Sequence, residues 1–395
     1  MEKAVRLGII GLGNMGTQHM RYCSHGKVTH GKVTAVADLL PQKIEAVRSA
    51  YAGDYAAFES GDALIESGAV DAVIIATPHY SHPPLAIKAF AHGLNVICEK
   101  PAGVYAKQVA EMNAAAEKSG KLFTMMFNQR TNPLYKKMRA LVQEGAVGEI
   151  KRVHWLITTW YRTQSYYDSG SWRATWAGEG GGVLFNQCPH QIDLLQWITG
   201  MMPVSVQAHC HFGKWHDIEV EDDVSAYMEF ANGATGVFVT STADTPGTDR
   251  LEILGTKGKL VCENNKLTVY ALATDERLFC RTCPQGFAQP EYTVREEKCE
   301  GDYPAHAGIT DNFCNALLGI EPLFVDGREG IRGVEIMDAM LLSQWLGKEV
   351  AVPVPPDEYL QELQKRIAVS KQKDTVDKVF DLTGTYGNTA GGKRP

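Results

Sequence analysis

A buried strand that ends in a glycine-rich turn constrains this chain more than any other sequence feature. Residues Val5 to Ile10 are apolar and often β-branched, as in a strand covered on both faces, and GLGNMG follows directly. In a GxGxxG turn between strand and helix, Gly11 permits the tight turn, Gly13 lets the backbone approach a pyrophosphate, and Gly16 lets the helix pack closely on the sheet. The predicted phosphate-binding residues are Gly11, Gly13, Asn14, Met15 and Gly16.

A second strand supplies a carboxylate where a dinucleotide site needs one. Residues Lys32 to Ala37 (KVTAVA) form a strand-like segment that ends in Asp38. A carboxylate there accepts hydrogen bonds from the ribose 2′- and 3′-hydroxyls and repels a 2′-phosphate. The sequence therefore predicts NAD as the cofactor, with NADP disfavoured.

Strand-like and helix-like segments alternate up to residue 128, which predicts a doubly wound parallel sheet. The predicted helices are Pro41 to Tyr51, Gly61 to Ser67, Pro83 to His92 and Ala106 to Ser119, and the further strands are Ala72 to Ala76, Asn95 to Cys98 and Leu122 to Phe127. Ligands of such sheets bind outside the carboxyl ends of the strands. The polar or turn residues at those ends that we expect to contact cofactor are Thr77, Pro78, His82, Glu99, Lys100 and Asn128.

Lys100 is the most specific of these strand-end residues. It follows a buried strand and precedes a proline, in the order Glu99, Lys100, Pro101. Beside a cationic nicotinamide its ammonium form is disfavoured, so the lysine could shuttle a proton or donate a hydrogen bond to an alcohol oxygen. The alternative is a surface lysine in a turn. The Lys100–Pro101 bond is also a candidate for the cis form.

A second polar cluster lies in the segment 179–200, EGGGVLFNQCPHQIDLLQWITG. Three consecutive glycines let the backbone approach another group closely, and Asn186, Gln187, His190 and Asp193 then precede an apolar helical run. His190 and Asp193 are spaced to share a helix face. A histidine on a rigid element beside a space cleared by glycines predicts a proton carrier, and the alternative is a buried, satisfied histidine.

The segment 162–176, RTQSYYDSGSWRATW, is dense in aromatic residues and arginine. Aromatic faces stack on sugar rings, and guanidinium groups donate to hydroxyls or carboxylates, so Trp172 and Arg173, with Tyr161 just before the segment, are candidate substrate contacts. A packing loop is the alternative. His306, near the start of a later predicted helix, is a candidate cleft residue, and a capping or surface histidine is its alternative.

The rest of the chain reads as a second α/β domain. The hairpin signal Asn232-Gly233 lies between two strand-like segments, and several more strands follow before residue 273. They predict a large open, mostly antiparallel sheet with helices on one face. We expect a nucleotide-binding domain at 1–128, a substrate-binding and oligomerisation domain at 129–356, and a short helix with a flexible tail at 357–395.

Composition excludes several classes of partner. The 39 Lys and Arg residues against 46 Asp and Glu residues give a net charge of −7 with no long basic block, which argues against nucleic acid and anionic membranes. No window approaches the ~20 apolar residues of a membrane span, and the N-terminus lacks a signal-peptide pattern, so we expect a cytoplasmic protein.

Metal chemistry has little support in the sequence. The nine cysteines are an odd number scattered along the chain, as expected of free thiols in a reducing compartment. Cys280 and Cys283 form a CxxC, but no second close pair stands at zinc-site spacing. His209 and His211 alternate on one strand face, and a solvated pair is favoured over a chelating one. We predict no metal site.

Four motifs together resemble the glucose-fructose oxidoreductase/inositol dehydrogenase/rhizopine-catabolism (Gfo/Idh/MocA) family. They are GLGNMG at 11–16, TPHYSHP at 77–83, EKP at 99–101 and GGGVLFNQCPHQIDLLQW at 180–197. The segment LEILGTKGKL at 251–260 and the helix-like segment 330–347 are similar to later parts of the family, so the resemblance extends to about Pro356.

The resemblance implies a Rossmann domain followed by an α/β domain, with a sugar or cyclitol bound between them and a homodimer or homotetramer as the assembly. It implies that Lys100 and His190 are catalytic. Where inositol dehydrogenase members place an aspartate four residues before that histidine, this chain has Asn186. An asparagine holds a hydroxyl but takes up no proton, so we expect Asn186 to bind or orient substrate.

These patterns favour an NAD-dependent oxidoreductase that moves a hydride between a ring hydroxyl of a sugar, glycoside or cyclitol and nicotinamide. Two alternatives remain open. One is a redox-neutral enzyme that keeps NAD bound and cleaves a glycoside through a transient keto-sugar. The other is a sugar- or NAD-binding protein without catalysis, suggested by Asn186 and opposed by the presence of Lys100 and His190.

Overall fold

The strand that precedes the glycine turn lies inside a parallel sheet. The structure is a computed structural model that describes residues 4–371 and residue 373. Its first sheet has six strands in the order β3-β2-β1-β4-β5-β6, all parallel. The strands are β1 (Val5–Ile10), β2 (Gly31–Ala37), β3 (Ala56–Phe58), β4 (Ala72–Ile75), β5 (Asn95–Cys98) and β6 (Phe123–Met125). The predicted doubly wound sheet is confirmed, and β3 is a strand that the sequence patterns did not indicate.

Helices cover this sheet because its strands are apolar throughout. They are α1 (Asn14–Ser24), α2 (Pro41–Ala50), α3 (Gly61–Glu66), α4 (His82–Ala91) and α5 (Ala106–Ser119). Every residue of β4 and β5 is buried, as a parallel strand with helices on both faces requires. The Lys100–Pro101 peptide bond is cis.

The second sheet has nine strands, in the order β14-β13-β12-β11-β7-β10-β9-β8-β15. Its strands are β7 (Ile150–Ile157), β8 (Pro203–Phe212), β9 (Glu221–Phe230), β10 (Thr235–Ser241), β11 (Asp249–Gly255), β12 (Gly258–Glu263), β13 (Lys266–Leu272), β14 (Tyr292–Glu297) and β15 (Val350–Ala351). Among these described strands only the β7–β10 pair is parallel, so the predicted mostly antiparallel sheet is confirmed.

One face of the large sheet is packed and the other is open. In β8 the side chains of Val206, Ala208 and Cys210 are buried, whereas His209 and His211 alternate with them and are exposed, as their spacing predicts. The remaining helices are α6 (Pro133–Gln143), α7 (Gln164–Tyr167), α8 (Pro189–Thr199), α9 (Glu276–Thr282), α10 (Ala305–Leu317), α11 (Gly330–Leu346) and α12 (Pro356–Ile367). No helix among the described residues is long and apolar enough to cross a membrane.

The chain returns to the first sheet after the second one is complete. On α10, Asp311 accepts a hydrogen bond of 2.5 Å from the backbone of Thr29, and Asn315 lies 2.7 Å from the ring of His30. On α11, Asp338 accepts 2.8 Å from the backbone N–H of Ala106 at the start of α5. On α11, Ser343 and Gln344 also accept hydrogen bonds from the backbone of β8, so residues 305–345 connect the first domain to the second sheet. The domain boundaries stay a prediction, and the predicted tail, from residue 374 on, lies outside the described residues.

Candidate active site

The glycine turn is shaped by packing at two positions and open at the third. Gly11 has a φ of +89°, and a Cβ there would lie 2.7 Å from the carbonyl oxygen of Ala76. A Cβ on Gly16 would overlap the carbonyl oxygen of Gly11, whereas a Cβ on Gly13 would meet no atom of the described residues within 4 Å. Asn14 and Met15 form the first turn of α1, whose free N–H groups face outward from the turn. The residues present fit a bound pyrophosphate, because Gly13 faces open space beside a helix N-terminus.

Asp38 connects this turn to the end of β2. Its Oδ2 accepts a hydrogen bond of 2.7 Å from the backbone N–H of Leu12, and its Oδ1 accepts one of 2.9 Å from that of Leu40. A carboxylate has about four lone-pair sites, so both oxygens keep acceptor capacity for ribose hydroxyls. The geometry therefore suits the predicted role of Asp38.

Two other predicted cofactor residues carry buried atoms that are ready to bind. Among the described residues, Thr77 Oγ1 and Asn128 Oδ1 are buried without a hydrogen-bond partner. The Asn128 amide nitrogen donates to the Tyr303 hydroxyl at 3.3 Å, which fixes its orientation. Because buried polar atoms in native proteins are nearly always paired, these two mark places where a polar ligand fits. Pro78, next to Thr77, is exposed.

His82 is engaged by the backbone rather than turned towards open space. Its Nδ1 lies 2.8 Å from the carbonyl oxygen of Pro101, and its Nε2 lies 2.8 Å from that of Thr77. The ring therefore ties the loop after β4 to the loop after β5. A part for His82 in cofactor binding stays a prediction, and in this geometry it would act by positioning Thr77.

Glu99 is held ionised beside Lys100. Its Oε1 lies 2.9 Å from His19 Nε2, and its Oε2 accepts a hydrogen bond of 3.2 Å from the Lys100 backbone N–H. Burial alone would raise the pKa of Glu99, but the hydrogen bond and charge of His19 outweigh it and bring that pKa to about 2. Glu99 is thus a fixed negative charge at the floor of the site.

His306 packs into the same buried group. Its ring lies 6.0 Å from that of His19, edge to face, and stacks on Tyr22 with centroids 6.2 Å apart. Burial lowers the pKa of His306 to about 4, so the ring is neutral at pH 7. The structure places His306 on the first turn of α10, buried behind Glu99. Its predicted contact with substrate stays a prediction.

Lys100 follows β5 of the first sheet, and it is bonded to the segment that leads into His190 on α8. Lys100 Nζ donates a hydrogen bond of 2.7 Å to the backbone carbonyl of Asn186, one turn before His190. Burial lowers the pKa of Lys100, opposed by the carboxylates of Glu99 and Glu179. Burial and the charge of Lys100 lower the pKa of His190 well below its ordinary value, and His190 Nδ1 is buried without a partner among the described residues. The arrangement places the Lys100 ammonium against the turn before a neutral His190 imidazole, near enough for its charge to act on that ring.

The three glycines before this site are not a cleared space for a ligand, which corrects the sequence interpretation. A Cβ on Gly180 would lie 2.6 Å from the Val104 side chain, one on Gly181 would lie 2.5 Å from Phe185, and one on Gly182 would overlap the Glu221 carbonyl oxygen. The bare backbone is needed so that the segment packs against β9 and against the loop that follows Lys100. The glycines therefore allow the close packing that positions the segment before His190.

The polar residues predicted to cluster with His190 do not all lie in the same site. Asp193 forms a buried two-pronged ion pair with Arg130, at 2.6 and 2.8 Å, and Arg130 is bonded in turn to Glu329 at 2.5 Å. Asp193 is thus used for packing α8 against the turn before α6, and its spacing from His190 reflects no shared chemistry. Gln187 donates 3.2 Å bonds to the Tyr166 hydroxyl and to Asn186 Oδ1.

The aromatic loop lies against the site. The Trp172 ring contacts the His79 ring edge to face at 5.8 Å, and His79 follows β4. The Arg173 guanidinium lies over the rings of Tyr166 and Trp172, at 4.5 and 4.6 Å. Tyr161, with 47 % of its surface exposed, is on the outer part of this loop. Contacts of Trp172, Arg173 and Tyr161 with substrate stay predictions.

Sequence reasoning missed several residues that the fold brings to this place. They are His19, Tyr22, Tyr166, Glu179 and Tyr303. His19 is the one with a local signal, because it lies one turn after Gly16 on a helix that must face the sheet. The others come from irregular segments, where no periodicity predicts direction. Within residues 4–371 and 373, no group of His, Cys, Asp and Glu could hold a metal ion, and Cys280 is exposed.

Comparison with known proteins agrees with this geometry. Residues 5–127 match the oxidoreductase family with an NAD-binding Rossmann fold, and residues 135–261 match the GFO/IDH/MocA C-terminal domain. The chain belongs to the GFO/IDH/MocA family. It is an NAD-binding oxidoreductase of that family, a dehydrogenase that acts on CH–OH groups.

Relatives match from two thirds to nine tenths of the chain at low identity. Inositol 2-dehydrogenase of Rhizobium meliloti (strain 1021) is 26% identical over 354 residues, which are 88% of this chain and 99% of that protein. The scyllo-inositol 2-dehydrogenase (NAD(+)) of Bacillus subtilis (strain 168) is 28% identical over 267 residues, 66% of this chain and 74% of that one. The WlbA dehydrogenase of Chromobacterium violaceum, solved with NADH and UDP-GlcNAcA, superposes with a TM-score of 0.75 at 25% identity, covering 90% of this chain and 98% of that one.

Proposed function

We propose that this protein oxidises a ring hydroxyl of a sugar, glycoside or cyclitol with NAD, or catalyses the reverse reduction. The observation that carries the proposal is the hydrogen bond of Lys100 to the segment that leads into His190. Lys100 Nζ is 2.7 Å from the backbone oxygen of Asn186, and Nδ1 of the buried His190 imidazole is unpaired within the part of the chain that the structure describes. A secondary alcohol needs a proton acceptor at its oxygen as the carbon–hydrogen bond breaks, and these two side chains supply one.

The residues divide the chemistry between them. NAD, when bound at the glycine turn, supplies the acceptor for the hydride that leaves the carbinol carbon. Burial lowers the pKa values of both Lys100 and His190, which favours the neutral forms that can take the hydroxyl proton. The amide of Asn186 is suited to hold a hydroxyl rather than to accept its proton.

NAD is proposed in preference to NADP because of Asp38. Its carboxylate, bonded to the backbone of Leu12 and Leu40, would stand against a 2′-phosphate without a counter-charge from the exposed neighbour Leu39. Electrostatic repulsion of a phosphate in that position disfavours NADP binding.

A sugar or cyclitol is proposed as substrate because of the aromatic loop. Trp172 and Arg173 lie beside His79, and together they offer a flat ring face and forked donors next to Lys100 and His190. The relatives named inositol 2-dehydrogenase, and the WlbA dehydrogenase solved with a UDP-linked sugar acid, support a ring polyol of this kind.

A homodimer or homotetramer is proposed on the open face of the large sheet. Gln207, His209, Ser225, Tyr227 and Val237 line a shallow depression there, on β8, β9 and β10. Tyr227→Glu should lower the mass of the native particle in light scattering. A wild-type protein that is monomeric at micromolar concentration would contradict this part of the proposal.

The function is tested with purified protein and a panel of inositols, free sugars and glycosides, each with NAD or NADP. We expect NADH formation on at least one ring polyol, and a slower rate when the carbinol hydrogen is replaced by deuterium. Lys100→Met should lower kcat by on the order of 10²- to 10⁴-fold, and Lys107→Met, a surface lysine on α5, should leave it unchanged. NAD binding with no NADH formed on any polyol would contradict the proposal, and cleavage of a glycoside without net NADH would favour the redox-neutral alternative.

A further inference from the structure

A buried carboxylate, Glu179, is hydrogen-bonded to Asn186. The amide nitrogen of Asn186 donates a short hydrogen bond to Glu179 Oε1, and Glu179 is 1 % exposed. The backbone oxygen of the same Asn186 accepts the hydrogen bond of 2.7 Å from Lys100 Nζ. One asparagine thus joins a buried carboxylate to the lysine, its side chain binding the first and its main chain the second.

Glu179 decides which way the Asn186 amide faces. An ionised carboxylate accepts and does not donate, so the NH₂ end of the amide points to Glu179. Burial raises the pKa of Glu179, and the Arg173 charge and the hydrogen bonds from Ala174 and Asn186 oppose that rise. The Asn186 oxygen is then directed to the Tyr166 hydroxyl and the Gln187 amide, each at 3.2 Å. If a donor group replaced the Glu179 carboxylate, the NH₂ end of the Asn186 amide would have no acceptor there, and this orientation would no longer be favoured. Glu179 therefore fixes the donor and acceptor pattern of a predicted substrate residue.

The same carboxylate is tied to the aromatic loop. Glu179 Oε2 accepts a hydrogen bond of 2.5 Å from the backbone N–H of Ala174, and the Arg173 guanidinium lies 3.9 Å from Oε1. Arg173 in turn donates to the Tyr166 hydroxyl at 2.8 Å. The carboxylate is thus the common acceptor of the loop that carries Trp172 and of the segment that carries Asn186.

Charges from every side act on Lys100. The carboxylates of Glu99 and Glu179 raise its pKa, and the guanidinium groups of Arg173 and Arg162 lower it, on top of the lowering by burial. The imidazoles near the lysine, His79, His82, His190 and His306, all have pKa values lowered by burial and are neutral at pH 7. Glu99 is paired with His19 at 2.9 Å, whereas Glu179 is 3.9 Å from its counter-charge, Arg173. The charge of Glu179 is therefore less closely paired than that of Glu99.

We propose that Glu179 is a positioning residue of the active site, which fixes the Asn186 amide and supplies a negative charge that acts on Lys100. The inference rests on the proposed function only for its effect on turnover. The site has a carboxylate at position 179 and an amide at position 186. The hydrogen bond between them should also form with the two groups exchanged, because one still donates and the other still accepts.

The test is an exchange of the two groups. Glu179→Gln keeps the shape and an acceptor for Ala174 but removes the charge. Asn186→Asp alone puts two carboxylates in contact, so one must be protonated. The double variant Glu179→Gln/Asn186→Asp restores one carboxylate and one amide, because the NH₂ group of the introduced glutamine would donate to the introduced aspartate. We expect each single variant to lose on the order of 100-fold in kcat and the double variant to recover most of that loss.

A second readout does not need turnover. The rate at which Lys100 is acetylated by acetic anhydride, followed by mass spectrometry across a pH series, reports the fraction of neutral lysine. In Glu179→Gln the midpoint should move to lower pH, because a negative charge that favours the ammonium form is gone. The double variant should return it. Glu221→Gln is the matched control, since it neutralises another buried carboxylate, which binds Gly182 and Leu184 instead of Asn186.

The two readouts separate the two proposals. A shifted Lys100 midpoint in a protein that oxidises no polyol would support Glu179 and contradict the proposed function. An active enzyme whose Glu179→Gln variant keeps both the wild-type midpoint and the wild-type kcat would overturn the role of Glu179. Loss in Glu179→Gln without recovery in the double variant would show that Glu179 acts through packing alone, and would overturn it as well.

Discussion

Replacing Gly13 with alanine should separate cofactor binding from stability. The backbone at Gly13 is extended, with φ −73° and ψ −162°, and alanine adopts that conformation without strain. A Cβ there meets no atom of the described chain within 4 Å, so the free protein should be unchanged or more stable by up to about 1 kcal/mol. The same Cβ would stand where a pyrophosphate must approach the backbone, so affinity for NAD should fall steeply.

Gly16→Ala is the matched comparison, with the same added methyl group three residues along the turn. Its Cβ would overlap the carbonyl oxygen of Gly11, so the turn and α1 must move apart. Insertion of a methyl group into a packed site costs about 1–3 kcal/mol. The free protein should therefore lose stability in Gly16→Ala and not in Gly13→Ala, although both should bind NAD poorly.

Urea denaturation with and without NAD measures both effects at once. A ligand at 100 times its dissociation constant stabilises the native state by about 2.7 kcal/mol. If Gly13→Ala weakens NAD about 100-fold, the same NAD concentration would add only about 0.4 kcal/mol. A Gly13→Ala protein that keeps the full gain from NAD, or that loses as much stability as Gly16→Ala, would refute the assignment of this turn.

Three further predictions concern single charges. Lys100→Met should lower kcat by on the order of 10²- to 10⁴-fold, with NAD affinity in titration calorimetry close to wild type. Burial raises the pKa of Glu221 from 4.5 to about 7, so the folded state binds the extra proton and the wild type should lose about 3 kcal/mol of stability between pH 4.5 and 7. Glu221→Gln should lack that loss in urea titrations at the two pH values, and an equal loss in both proteins would contradict it. Asp38→Ser with Leu39→Arg should raise the ratio of kcat/KM for NADP over NAD by on the order of 10- to 100-fold, and an unchanged ratio would show that Asp38 does not select the cofactor.

The nucleotide-binding half was predictable because its determinants are local. The strand at 5–10, the turn at 11–16 and Asp38 at the end of the next strand follow one another within a single βαβ unit. Once β1 and β2 pair in parallel, Asp38 necessarily lies beside the glycine turn. Such a unit can be predicted from sequence because its contacts are close in the chain and its crossover is nearly always right-handed.

The second half was only partly predictable, because its contacts cross long stretches of chain. Gly180 to Gly182 show that a bare backbone is needed, but not whether a ligand or the Val104 side chain takes the space. Helical spacing puts His190 and Asp193 on one face, but Arg130, far away in sequence, engages Asp193. Glu179 lies before an irregular turn, so no periodicity indicates that its carboxylate reaches Asn186.

The charge state of Lys100 is the property that sequence is least able to give. Burial lowers its pKa, and two carboxylates oppose that effect: Glu99, its neighbour in sequence, and Glu179, from the segment before α8. Glu99 is itself balanced by His19, at 2.9 Å, on a third element. A lysine at the carboxyl edge of the first sheet would therefore titrate differently if the Glu179 segment were moved away. It follows that the proton affinity of the site depends on how residues from both sheets are packed together, and that substitutions at Glu179 should change the pH dependence of catalysis without altering the glycine turn that binds NAD.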